Sequence, residues 1–116
     1  MTDTAARHYE TWPIVMGAMR ARAPEIPKAF GPFFQAMMRE GALSAKHKEL
    51  IALAIGVATH CEPCIYAHAE KCLKAGATPE EMMEAAGVAV MMGGGPAYTH
   101  VGVLSAAIEH LQPAAR

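Results

Sequence analysis

The sequence predicts an all-α fold, a compact single domain of about six helices, and three observations carry that prediction. No segment alternates apolar and polar residues among β-branched and aromatic positions, as a half-buried strand would. Helix starts and stops recur along the chain. The segment "ELIALAIGVAT" is apolar on almost every face, the pattern of a buried helix at the centre of a bundle. At 116 residues the chain fits one domain, which commonly spans about 100 to 150 residues.

A first helix is expected over about Ala5 to Arg22, with Pro13 kinking or splitting it, because proline lacks the backbone donor and clashes with the preceding turn. "APEIP" separates it from a second helix, about Pro27 to Arg39, stopped by Gly41. Ser44 is placed to cap a third helix from Ala45, the apolar one. Pro63 suits the first turn of a fourth, which runs to about Ala75 with Gly76 as its left-handed stop. "TPEE", Thr78 to Glu81, is a capping box with proline at the first helical position, and it launches a fifth helix through "MMEAAGVAVMM". "GGGP" breaks that helix. It lacks the strand before it and the lysine after it that a phosphate loop requires, and reads as a break permitting close backbone approach. Pro96 then opens a last helix to about Leu111, and "QPAAR" is expected to be a frayed tail.

Ten Lys plus Arg against eleven Asp plus Glu leave a net charge of -1, which argues against a polyanionic partner such as nucleic acid. The N-terminal "MTDTAARHYETW" carries charges where a signal peptide needs an apolar core. The longest apolar stretch, "LIALAIGVA", falls short of the roughly 20 residues that span a bilayer. A soluble, cytoplasmic protein is therefore the expectation. In that compartment three cysteines build no disulfide framework, and a CxxC pair points to redox chemistry or metal binding.

All three cysteines and two of the six histidines fall within "THCEPCIYAHAEKC", Thr59 to Cys72. Cys61, Cys64, His68 and Cys72 superficially offer four zinc ligands. On a continuous helix, however, Cys61 and Cys72 lie about 16 Å apart along the axis, too far for tetrahedral bonds of about 2.3 Å. The redox reading asks less. A CxxC at a helix N-terminus has its thiolate favoured by unpaired N–H groups, and one sulfur can resolve what the other starts. His68 follows Cys64 by four residues and so stands one turn further along the same face, positioned to take or return a proton.

Glu49, at the front of the apolar helix, is suited to orient and charge-balance a neighbouring histidine; equally, it can act as an ordinary carboxylate near a helix start, with Lys46 and Lys48 beside it. His60 could lower the pKa of Cys61 or serve a turn at the helix junction with Thr59. Cys72 reads as a small buried hydrophobe, Tyr66 as packing, and the methionine clusters as material for interfaces within or between subunits.

The pattern E-x11-C-x2-C-x3-H, met by Glu49, Cys61, Cys64 and His68, together with the "KAGAT" and "GGGP" turns, resembles the core domain of the AhpD-like alkylhydroperoxidases in the carboxymuconolactone decarboxylase superfamily. The resemblance covers about Ala42 to His100. It implies one small all-helical domain over residues 1–116 that assembles into trimers or hexamers and reduces hydroperoxides in antioxidant defence. It further implies Cys64 as peroxidatic thiol, Cys61 as resolving thiol, and His68 with Glu49 as the proton relay. A lipoyl-type or thioredoxin-like dithiol would restore the pair, and the cycle needs no metal, haem or flavin. Pro63 stands where the best-known AhpD pattern has a histidine, which leaves a shorter relay, a water or His60 to take that place. Lactone decarboxylation, the other activity of the superfamily, and a non-catalytic redox sensor are the alternatives.

Overall fold

The computed structural model describes residues 3–113. It contains six helices: α1 (Asp3–Arg22), α2 (Glu25–Met38), α3 (Ala45–Ala58), α4 (Glu62–Lys74), α5 (Pro79–Gly93) and α6 (Gly95–Leu111). Among the described residues there is no strand, and no helix is long and apolar enough to cross a membrane. The all-α expectation holds. The predicted tail divides, with Gln112 capping α6 and residues 114–116 lying outside the described residues.

Local chemistry sets most boundaries. Ser44 Oγ accepts the His47 N–H at 3.1 Å and starts α3. Thr78 and Glu81 exchange the two hydrogen bonds of a capping box, 3.1 and 2.9 Å, at the head of α5. Gly76, at φ 94°, turns the chain after α4, and Gly94, at φ 75°, separates α5 from α6. The close approach expected at the glycine triplet falls at Gly93, where a Cβ would lie 3.0 Å from Ala97 Cβ.

Three expectations need correction, on α1, α2 and the burial of α3. α1 runs unbroken through Pro13, so of the two expected outcomes, kinking or splitting, the split does not occur. α2 stops before Gly41: Arg39 is already extended, and Lys48 Nζ donates to Met37 O and Arg39 O, satisfying carbonyls at the helix end.

α3 packs on α4, α5 and α6, and the core forms around Leu53, Val57, Ile65, Met82 and Leu104. Buried alanines, among them Ala69, Ala86, Ala97 and Ala107, provide small contact surfaces between helices. α3 is nevertheless not buried all round. Ile51 and Ile55 face outward from it, as do Ile26, Phe30, Phe33 and Met37 from α2, which has no buried residue.

Candidate functional site

The turn between α3 and α4 brings the cysteines to a helix N-terminus. Thr59 ends α3, its N–H and hydroxyl both donating to Ile55 O at 2.8 Å. His60 adopts φ 59°, a left-handed conformation uncommon outside glycine but more accessible to histidine than to most residues. Cys61 then caps α4. Its N–H donates to Gly56 O at 2.9 Å, and its Sγ accepts the Cys64 N–H at 3.2 Å. Cys61 and Cys64 form a disulfide, with Cα atoms 5.2 Å apart.

Gly56 makes this junction possible. A Cβ there would meet Cys64 Cβ at 3.1 Å, so its absence lets α3 pass close behind the sulfur pair. The same residue supplies the carbonyl that holds Cys61. One position on α3 therefore serves both cysteines.

His68 lies one turn beyond Cys64 on α4, about 5 to 6 Å on between β-carbons. Its Nδ1 is 2.7 Å from Glu49 Oε1 across from α3, and the two side chains are only 13% and 12% exposed. An ionised carboxylate only accepts, so Nδ1 carries the donated proton and Nε2 is left with the lone pair. The carboxylate is thus placed to fix the ring and balance the charge it gains on protonation. Of the two readings of Glu49, the structure supports a partner for histidine. Lys46 and Lys48 point elsewhere, Lys46 to Glu81 at 3.0 Å and Lys48 to the end of α2.

Of the other singled-out residues, His60 and Tyr66 fall outside this cluster, while Cys72 lies one turn beyond His68 and within the field of Glu49. His60 stacks on His100 of α6, ring centroids 5.1 Å apart, rather than joining the Glu49–His68 bond. Cys72 is fully buried, and burial, with the Glu49 carboxylate adding to it, pushes its thiol up to about 12, in keeping with a structural role. Tyr66 is buried too, and its backbone carbonyl accepts the Tyr9 hydroxyl.

Sequence reasoning missed the cover over His68. Phe34 of α2 stacks on the imidazole at 6.1 Å between centroids, and Lys71 Nζ stands 4.3 Å from the centre of the Phe34 ring. Phe34 thus covers one side of the His68 ring, and a cation–π contact to Lys71 of α4 holds it there. A phenylalanine in "GPFFQAMM" carries no mark of this role, because the contact depends on how α2 folds back over α4.

The family model for the carboxymuconolactone decarboxylase family matches residues 24–107. An apo crystal structure of a family member from Legionella pneumophila is 37% identical and superposes with a TM-score of 0.84, covering 92% of this chain and 96% of that one. A family member from Thermotoga maritima, for which involvement in an antioxidative response has been suggested, is 32% identical with a TM-score of 0.71, over 74% of this chain and 89% of its own. An uncharacterized protein in the cox locus of Paracoccus denitrificans is 33% identical over 99 residues, 85% of this chain and 89% of the relative. The match spans α2 to most of α6 and includes the sulfur pair, Glu49 and His68; the chain belongs to the carboxymuconolactone decarboxylase family, as an AhpD-like domain.

Proposed function

We propose that the protein is a thiol-dependent hydroperoxide reductase acting in antioxidant defence. The Glu49–His68 hydrogen bond, one helical turn beyond the Cys61–Cys64 pair, carries this reading. In the reduced protein His68 Nε2 accepts the Cys64 thiol proton while Glu49 offsets the new positive charge. The thiolate attacks the O–O bond of ROOH. An S–O bond forms, the O–O bond breaks, and His68 returns the proton to the departing alkoxide, leaving an alcohol and a Cys64 sulfenic acid.

Cys61 then attacks the sulfenic sulfur, and its proton leaves with the hydroxyl as water as the disulfide forms. A dithiol reductant attacks Cys64, and Cys61 departs as a thiolate at the helix N-terminus, with the Cys64 N–H positioned to stabilise it. The reductant ends as its own disulfide, having supplied two electrons and two protons. Its class in this reading is a lipoyl-type or thioredoxin-like dithiol. The antioxidative role suggested for the Thermotoga relative supports the same direction.

The outward apolar side chains of α2, α3 and α5 support assembly of the chain into a homotrimer or homohexamer. Lactone decarboxylation is favoured only by the family's name, since that chemistry does not call for a CxxC. A sensor whose disulfide alters assembly without turnover would consume peroxide only stoichiometrically.

The test is to add hydrogen peroxide and an organic hydroperoxide to prereduced protein and follow thiol oxidation by mass spectrometry in the wild type, Cys61→Ser and Cys64→Ser. A sulfenic acid trapped on Cys64 in Cys61→Ser, a Cys61–Cys64 disulfide in the wild type, and sustained turnover with a dithiol are expected. Thiols reacting no faster than free cysteine, with activity on a carboxylated lactone, would move the decarboxylase ahead.

A further inference from the structure

The thiols occupy one face of α4, and a cavity opens on the opposite one. At about 100° per residue, His68 lies about 40° from Cys64 around the helix, whereas Tyr66 and Glu70 lie about 200° and 240° away. On that far side α1, α4 and α6 border a half-open cavity of about 350 Å³, lined among others by His8, Tyr9, Trp12, Glu70, His110 and Leu111. Neither cysteine of the pair, nor His68 or Glu49, contributes to it.

Its wall is rich in π-systems. His8 stacks on Tyr66 at 4.2 Å and on Trp12 at 5.1 Å, while Tyr9 stacks on His110 at 5.4 Å. The rings close on one another in these stacks, and beside the stacks remains a space near the lower end of the small-ligand range, about 300 to 1,000 Å³. Among the described residues, Glu70 is the only carboxylate or amine in the lining. Its partner Lys74 is 3.8 Å away, with a side chain 75% exposed, a loose surface pair. Burial lowers the His8 pKa, so that ring tends to stay uncharged, and Glu62 adds a second negative field at His8 and Tyr66.

We propose that this cavity binds a small organic cation, an alkylammonium with apolar substituents, with the aromatic lining around its body and Glu70 as its counter-charge. An anion would meet the fields of Glu70 and Glu62. A neutral apolar molecule would leave the carboxylate without a role, and among the described residues no three His, Cys, Asp or Glu side chains are grouped to hold a metal ion. Aromatic walls with a carboxylate beside them suit an ammonium whose charge is spread over carbon substituents.

Trp12 is the single tryptophan of the chain, so intrinsic fluorescence reports on this cavity directly. Choline and its neutral carbon isostere 3,3-dimethylbutan-1-ol would be titrated into the full chain, with sodium chloride matching ionic strength. The proposal expects a saturable change with choline and none with the isostere. Glu70→Gln should weaken choline binding about fivefold or more, and Lys74→Met, which frees Glu70 of its competing cation, should tighten it about twofold. Glu84→Gln, an exposed carboxylate on α5, should bind as the wild type does. An equal response to the isostere, an unchanged affinity in Glu70→Gln, or no saturation up to tens of millimolar choline would overturn it.

Discussion

Glu49 and His68 are 19 residues apart in sequence and 2.7 Å apart in space, and their value to the chemistry lies in charge as much as in position. Glu49→Gln keeps an oxygen that can accept from Nδ1 but removes the negative charge that offsets a protonated imidazole. Oxidation of Cys64 by peroxide should slow about tenfold to a hundredfold, the scale seen when a carboxylate behind a functional histidine is lost. Stopped-flow thiol oxidation measures it, and a rate within twofold of the wild type would remove Glu49 from the relay. Cys72 makes the opposite case, a cysteine kept out of the chemistry. Its folded pKa is raised to about 12 from an ordinary 9.0, so the neutral thiol favours the fold fully below pH 9. Above that the unfolded chain releases the proton first, and this contribution is lost between pH 9 and about 12. In the disulfide form, where Cys61 and Cys64 have no thiol to titrate, the urea midpoint should fall more between pH 8 and pH 10 in the wild type than in Cys72→Ala. Equal falls would count against the shift.

At the scale of elements, what could be read from the sequence is what is decided within a few residues. Ser44, Thr78 with Glu81, Pro63 and Gly76 act through hydrogen bonds or backbone angles spanning one turn, and each lies where its chemistry predicts. The E-x11-C-x2-C-x3-H spacing likewise identified the residues that α3 and α4 bring together. Pro13 leaves kinking and splitting open in the sequence, because its effect on a helix depends on surroundings that the sequence does not display, and the helix is not split. The Phe34 cover and the outward face of α3 were hidden for a related reason: both follow from where α2 lies, a tertiary outcome. Gly56 also escaped notice, since in "AIGVA" it resembles a weak helix residue rather than a point of contact. Its partner is 3.1 Å away and is the Cβ of Cys64, so Gly56→Ala must push α3 and α4 apart. The alanine gains about 1 kcal/mol of helix propensity, while overpacking costs about 1 to 3 kcal/mol, and the balance is destabilising. Gly87→Ala in α5, with no atom within 4 Å of its new Cβ, receives the gain without the cost. Denaturant unfolding should show opposite signs for the two, and a stabilised Gly56→Ala would mean that the helices yield freely at the site.

At the scale of the whole molecule, exposed apolar side chains gather on one face of the bundle. Met37, Leu43, Ile51 and Ile55 border one groove, and Leu43, Leu50, Ile51 and Val88 another; the shared Leu43 and Ile51 make a continuous face across α2, α3 and α5. The radius of gyration, 14.5 Å, slightly exceeds the roughly 13 Å expected for a compact chain of this length, consistent with an α2 that has no buried residue. In the assembly proposed above, a second copy covers this face and supports α2, and α2 in turn keeps Phe34 over His68. Ile51 lies in both grooves, so Ile51→Glu places a charge where another copy would have to desolvate it. The wild type should sediment as a multiple of 12.3 kDa with a Tm that rises with concentration, whereas Ile51→Glu should sediment as the single chain with a concentration-independent Tm. The same variant should also oxidise Cys64 more slowly with peroxide, as α2 loses its support and Phe34 its place over His68, although the substitution touches neither cysteine. A wild type that stays at 12.3 kDa across the micromolar range would leave the apolar face to another partner and separate the cover over His68 from self-association.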